Sequence, residues 1–70
     1  MEKKAYLIEI ITLNDGSEVT TNTKKESYNN ALMSLFQSMA SAIANDNVAK
    51  AAICIMDDNG YTLKSEIWTR

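Results

Sequence analysis

Four stretches of the chain read as strands, two of them strongly apolar, and one long stretch between them repeats at helical spacing. Ala5 to Leu13 (AYLIEIITL) is rich in Ile, Leu and Tyr and reads as a strand. Asn14-Asp15-Gly16-Ser17 follows, and Asp-Gly between strand-like runs signals a two-residue hairpin. Glu18 to Thr23 (EVTTNT) is polar and Thr-rich, as suits an edge strand. After the helical stretch, Val48 to Asp57 (VAKAAICIMD) is a third, strongly apolar strand. Asp58-Asn59-Gly60-Tyr61 supplies a second hairpin, and Tyr61 to Thr69 (YTLKSEIWT) alternates as the fourth strand.

The helix is expected over about 24–45. Thr23-Lys24-Lys25-Glu26 has capping-box spacing, with Thr23 as N-cap and Glu26 at the third helical position. Tyr28, Leu32, Leu35, Phe36, Met39 and Ile43 recur at steps of three and four, and Ala31 and Ala42 widen that stripe. The opposite face carries Asn30, Ser34, Ser38, Ser41 and Asn45, and no charged residue falls between Ser27 and Asn45. Two readings of that small polar face are open: a weakly helical surface held by its buried side, or a close-packing surface for a partner. Asn, Gln and Ser are too frequent in the stretch for a membrane span.

The fold class is therefore α+β, a ββαββ chain folded as a single small domain over residues 1–70. Placing the two apolar strands at the centre gives a four-stranded antiparallel sheet of order 2-1-3-4 with one helix on one face. Two-residue loops would set Tyr6, Ile8, Ile10 and Val19 on one side of the first hairpin and Leu7, Ile11 and Leu13 on the other. The second hairpin divides into Ala52, Cys54, Met56, Leu63 and Ile67 against Ala51, Ile53, Ile55 and Trp68, the latter interspersed with Lys64 and Glu66. One helix covers one face, so a group of large apolar side chains stays uncovered, more than a monomer ordinarily exposes. A homodimer or higher oligomer is expected, and Leu7, Ile11, Leu13, Ile53, Ile55 and Trp68 are assigned to its interface.

Composition removes several function classes. The chain has 70 residues, one Cys, no His and a net charge of −2. A lone thiol makes no internal disulfide, and no Cys/His set exists for zinc. An acidic chain with a pI of about 4.9 has no basic footprint for nucleic acid. MEKKAYLIEI lacks the apolar run of a secretory signal, so the expected compartment is the cytoplasm, without a membrane partner. No phosphate loop, nucleophile–base set or dinucleotide fingerprint is present, so neither an enzyme nor a bound cofactor is expected.

The residues that invite chemistry each have a plainer role. Cys54 lies mid-strand among Ile and Met with no His as base, which favours a buried structural thiol. A calcium loop counted from Asp57 would need a carboxylate at its twelfth position, where Trp68 stands. Glu9 interrupts an apolar strand and is expected to face solvent or to pair with Lys3, Lys4 or Lys50. Trp68 and Arg70 are hot-spot residue types and candidates for partner contact, against the alternative that Trp68 covers the end of the sheet. Lys24 and Lys25, placed at the helix start beside free backbone N–H groups, are candidates for an anion or partner contact.

The C-terminal stretch NDNVAKAAICIMDDNGYTLKSEIWTR combines an Asn-rich helix end, a Val-led apolar strand, an Asp-Asn-Gly hairpin and a Lys-x-x-x-Trp strand from Lys64 to Trp68. In these features it resembles a set of small uncharacterised proteins of phages, prophages and genomes of gut Clostridia, which the N-terminal half matches in element order. The resemblance implies a phage or mobile-element accessory protein and carries over no site residues. Three functional readings follow. The first is a non-enzymatic oligomeric binding protein, self-associating and meeting a host protein through its edges or helix. The second is a phage-type inhibitor of a host defence or nucleic-acid enzyme. The third is a small-ligand-binding oligomer with sites near Lys24, Lys25 or Arg70.

Overall fold

A computed structural model describes residues 4–70. It contains β1 (Ala5–Leu13), β2 (Glu18–Lys25), α1 (Tyr28–Ala44), β3 (Val48–Asp57) and β4 (Thr62–Thr69). The strands form one antiparallel sheet of order β2-β1-β3-β4, and the helix lies across β3 and β1. The α+β ββαββ architecture is therefore that expected from the chain, with both apolar strands central.

The hairpin loops are one residue longer than expected. Leu13 N–H donates to Ser17 O at 2.8 Å and Gly16 N–H to Leu13 O at 2.9 Å. In the second hairpin Asp57 N–H donates to Tyr61 O at 3.0 Å and Gly60 N–H to Asp57 O at 3.1 Å. Each loop is thus a three-residue connection whose last residue is a glycine with φ near +90°, at Gly16 (90°) and Gly60 (88°). That is the turn-plus-bulge alternative to the two-residue loop, and only glycine takes the last position without strain. An aspartate side chain braces each: Asp15 Oδ1 accepts from Ser17 N–H and Oγ–H, and Asp57 Oδ1 from the N–H groups of Asn59 and Tyr61.

The extra loop residue has different consequences in the two hairpins. In the first it slides β2 by one, so Val19 stands opposite Ile11 on the same face as Leu7, not beside Ile8 and Ile10 as expected. In the second, an irregularity at Leu63 between the Ile55–Lys64 and Met56–Thr62 pairs absorbs it, and the remaining positions of β4 keep their expected faces.

The helix begins at Tyr28, not in the lysines. Ser27 is its N-cap and its Oγ accepts from Asn30 N–H at 3.2 Å. Thr23, Lys24 and Lys25 instead extend β2, pairing with Leu7, Tyr6 and Ala5. Nine residues of β1 offer ladder partners to the end of that strand, and this pairing outcompetes a Thr23 cap.

The helix is also rotated from the stripe read in the sequence. Its buried residues are Ala31, Leu35 and Ala42, while Leu32 and Met39 pack against the core from its flanks. Tyr28, Phe36 and Ile43, expected inside, are exposed. The two alanines let the helix backbone approach the sheet closely, which drives Leu35 fully between Leu7, Ile53 and Ile55. A second cluster of Ala42, Val48 and Ala51 closes the other end, with Ile11, Leu13 and Trp68 packed against it.

Candidate functional site

The helix takes the face of Leu7, Ile53 and Ile55, leaving each of those side chains 2% exposed or less. This corrects the interface assignment made from sequence. Leu7, Ile53 and Ile55 are core, and Ile11, Leu13 and Trp68 complete the core at one end. The face left open is the other one.

The open face is laid out by the ladder. Tyr6 pairs with Met56, Ile8 with Cys54, and Ile10 with Ala52, which in turn pairs with Ile67. These side chains form one contiguous apolar patch across β1, β3 and β4. Ile10 and Ile67 are exposed, the latter by 65%, while Tyr6, Ile8, Cys54 and Met56 are half-buried by their neighbours. Polar residues frame the patch. Lys24, Asn22, Thr20 and Glu18 lie along β2, and Thr12, Lys50 and Thr69 close one end. Cys54 sits within this patch, half-buried and free, not sealed in the core as expected.

A second exposed apolar feature runs along the helix. Met33, Phe36, Ala40 and Ile43 recur at three-four-three spacing, and Met33 and Phe36 are 61% and 54% exposed. Lys64 Nζ lies 5.9 Å from the Phe36 ring centroid and 3.2 Å from Glu66 Oε1, so the helix-side surface of β4 is charged where the helix leaves it uncovered.

Arg70 is engaged within the chain. Its Nε donates to Val48 O at 2.9 Å, and its Nη2 donates to Ile43 O at 3.0 Å and Asn45 O at 2.8 Å. The guanidinium also stacks on Trp68, 4.7 Å from the ring centroid. These contacts satisfy carbonyls at the end of a helix that has no basic residue in its own last turn. Arg70 and Trp68 therefore join the helix end to the sheet end, and Arg70 stays exposed there.

The other candidates separate similarly. Lys24 and Lys25 line a shallow hollow with Glu26, Asn30, Met33 and Gln37, but they belong to β2 and are not at the helix terminus. The hydrogen bond from Lys4 holds the Glu26 carboxyl below the ordinary range, with the Lys4 charge adding to it. Glu9 faces the helix side and opens onto a groove of about 460 Å³ with Gln37, Ser38, Ser41 and Asn45. The expected lysine partners do not meet it: Lys4 binds Glu26, Lys50 lies on the other face opposite Thr12, and Lys3 lies outside the described residues. The small polar helix face thus borders this groove. Asp57 spends its carboxylate on the hairpin N–H groups, and among the described residues no three His, Cys, Asp or Glu side chains gather to hold a metal. No helix among them is long and apolar enough to cross a membrane.

The arrangement presents two exposed apolar features: an uncovered sheet face and a ridge along the helix. An uncovered sheet face is expected from the sequence, whereas the helix ridge is not, because the large-residue stripe places Phe36 and Ile43 on the buried side. No family model matches the chain, and neither the curated proteins nor the solved structures yield a significant match.

Proposed function

We propose that this chain is a non-enzymatic binding protein that self-associates through its open sheet face and meets a partner protein through its helix. The observation that carries this is the patch of Tyr6, Ile8, Ile10, Cys54, Met56 and Ile67, which no other element covers among the described residues. A two-layer fold with an apolar outer sheet face gains by burying it against a second sheet, in the manner of a sandwich core. The resemblance of the C-terminal stretch to small phage and prophage proteins supports an accessory role in such an element.

Replacing Ile10 with Lys tests the reading. Ile10 is an exposed member of the patch on central strand β1, so the charge is tolerated by the monomer fold and disfavoured in a buried interface. The expected result is loss of self-association in sedimentation, with the far-ultraviolet circular dichroism unchanged. An Ile10→Lys variant that associates as the native chain does would contradict it.

A further inference from the structure

We infer that Asn59 is a site of spontaneous covalent modification: ring closure of its side chain onto the Gly60 nitrogen turns it into isoaspartate and aspartate, at a rate set by the hairpin that holds that nitrogen. The site needs neither the open sheet face nor a second copy.

Asn59 alone among the asparagines of the chain precedes a glycine. Attack on an asparagine side chain by the next residue's nitrogen is slowed by any side chain on that residue, and Gly60 has none. A Cβ at Gly60 would meet nothing within 4 Å, so the space beside the nitrogen is open. Both residues are exposed at the tip of the β3–β4 hairpin, where water and hydroxide reach them. The side-chain amide of Asn59 has no hydrogen-bond partner among the described residues and is free to turn toward that nitrogen.

The chemistry uses water as its only reagent. Gly60 gives up its N–H proton and its nitrogen bonds to Cγ of Asn59, while Nδ2 leaves with a proton as ammonia. The cyclic imide then takes up water. Opening at Cγ yields aspartate; opening at the α-carbonyl leaves the chain running through Cγ, an isoaspartate.

The fold restrains the first step. Gly60 N–H donates to Asp57 O at 3.1 Å, and the nitrogen attacks only when that bond opens and the proton is lost. The first hairpin supplies the contrast. Asp15 precedes Gly16, whose N–H donates to Leu13 O at 2.9 Å. The Asp15 carboxylate accepts from Ser17 N–H and Oγ–H and stays ionised, and an ionised carboxylate offers no leaving group for the same closure.

Isoaspartate changes what the second hairpin holds. Asp57 Oδ1 accepts from the N–H groups of Asn59 and Tyr61, both at 2.9 Å. The product lengthens the main chain between those donors and adds a carboxylate beside Asp57 and Asp58, so a single oxygen no longer meets both.

Mass spectrometry of the full chain, aged in warm buffer at two pH values a unit apart, tests the assignment. Trypsin releases residues 51–64, with Asn59 the sole asparagine, and residues 5–24, with Asn14, Asp15 and Asn22. The 51–64 peptide is expected to gain the mass of an amide turned acid, mostly as isoaspartate, before any such gain in 5–24. The gain is expected to be about tenfold faster at the higher pH, because the attacking nitrogen must be deprotonated. The urea-unfolded chain, and an Asp57→Ala variant whose loop lacks its brace, are expected to convert faster than the native chain. A 51–64 peptide that keeps its mass while 5–24 gains, or while the urea-unfolded chain converts fully, would overturn the site. Aspartate without isoaspartate would overturn the ring closure, and equal rates in folded and unfolded chains would overturn control by the hairpin.

Discussion

The guanidinium of Arg70 donates to the carbonyl oxygen of Asn45 at 2.8 Å, joining the end of the chain to the end of its helix. Ile43 O and Val48 O receive the same side chain, and Trp68 supports its plane. Charged hydrogen bonds of this kind contribute about 1.5–3 kcal/mol each when shielded, and less where water reaches them. Arg70→Met keeps the contact with Trp68 and removes the donors. Stability in urea is expected to fall by about 1–2 kcal/mol, with faster amide exchange over the helix's last turn. An unchanged midpoint would show that water satisfies those carbonyls equally well.

The helix start gives a paired prediction. Ser27→Ala removes the oxygen that accepts from Asn30 N–H and is expected to lower stability by about 1 kcal/mol. Thr23→Ala, at the position that sequence spacing marks as the cap, leaves exchange of the first helical amides unaltered. The reverse ranking of amide protection would return the helix start to Thr23.

Leu35 and Phe36 are neighbours with opposite roles. Leu35 is fully buried and Leu35→Ala is expected to cost about 2–5 kcal/mol. Phe36 is more than half exposed, and Phe36→Ser is expected to change stability by under about 1 kcal/mol. Chemical denaturation of both variants reads the rotation of the helix directly. A larger loss at Phe36 would mean that the large-residue stripe, not the alanine line, faces the sheet.

Asp15 titrates below the ordinary carboxylate range because the Ser17 hydroxyl, and then its backbone N–H, donate to the carboxylate. A depressed carboxyl contributes stability above its unfolded value and loses it as pH falls through its folded value. Carbon-detected NMR titration is expected to place the Asp15 midpoint below that of a free aspartate. Ser17→Ala should raise it; an unmoved midpoint would remove Ser17 as the cause.

The element order and the 2-1-3-4 sheet were readable because Asp15-Gly16 and Asn59-Gly60 punctuate the strands and the Thr-rich β2 cannot be central. The face taken by the helix was not. β1 and β3 are apolar on both sides, so alternation at Ile8 and Leu7, or at Cys54 and Ile53, gives no preference. The rotation of the helix was hidden because large side chains dominate a periodicity count. Ala31 and Ala42 decide the packing by letting the backbones come close. A signal was present in Ala51, a small residue on the central strand beneath the helix end. The one-residue slip at Val19 followed from a loop length that Asp-Gly alone leaves open, and Arg70 reached the helix end through tertiary structure with no local pattern to announce it.

The central claim is that the open sheet face is an interface between copies. Sedimentation equilibrium of the native chain across a micromolar concentration series, checked by native mass spectrometry, reads it most directly. A species of twice the 7.8 kDa chain mass is expected, with a dimer fraction that rises with concentration. A single species at 7.8 kDa throughout would contradict it, and the patch around Ile8 and Ile10 would then belong to a different protein's surface.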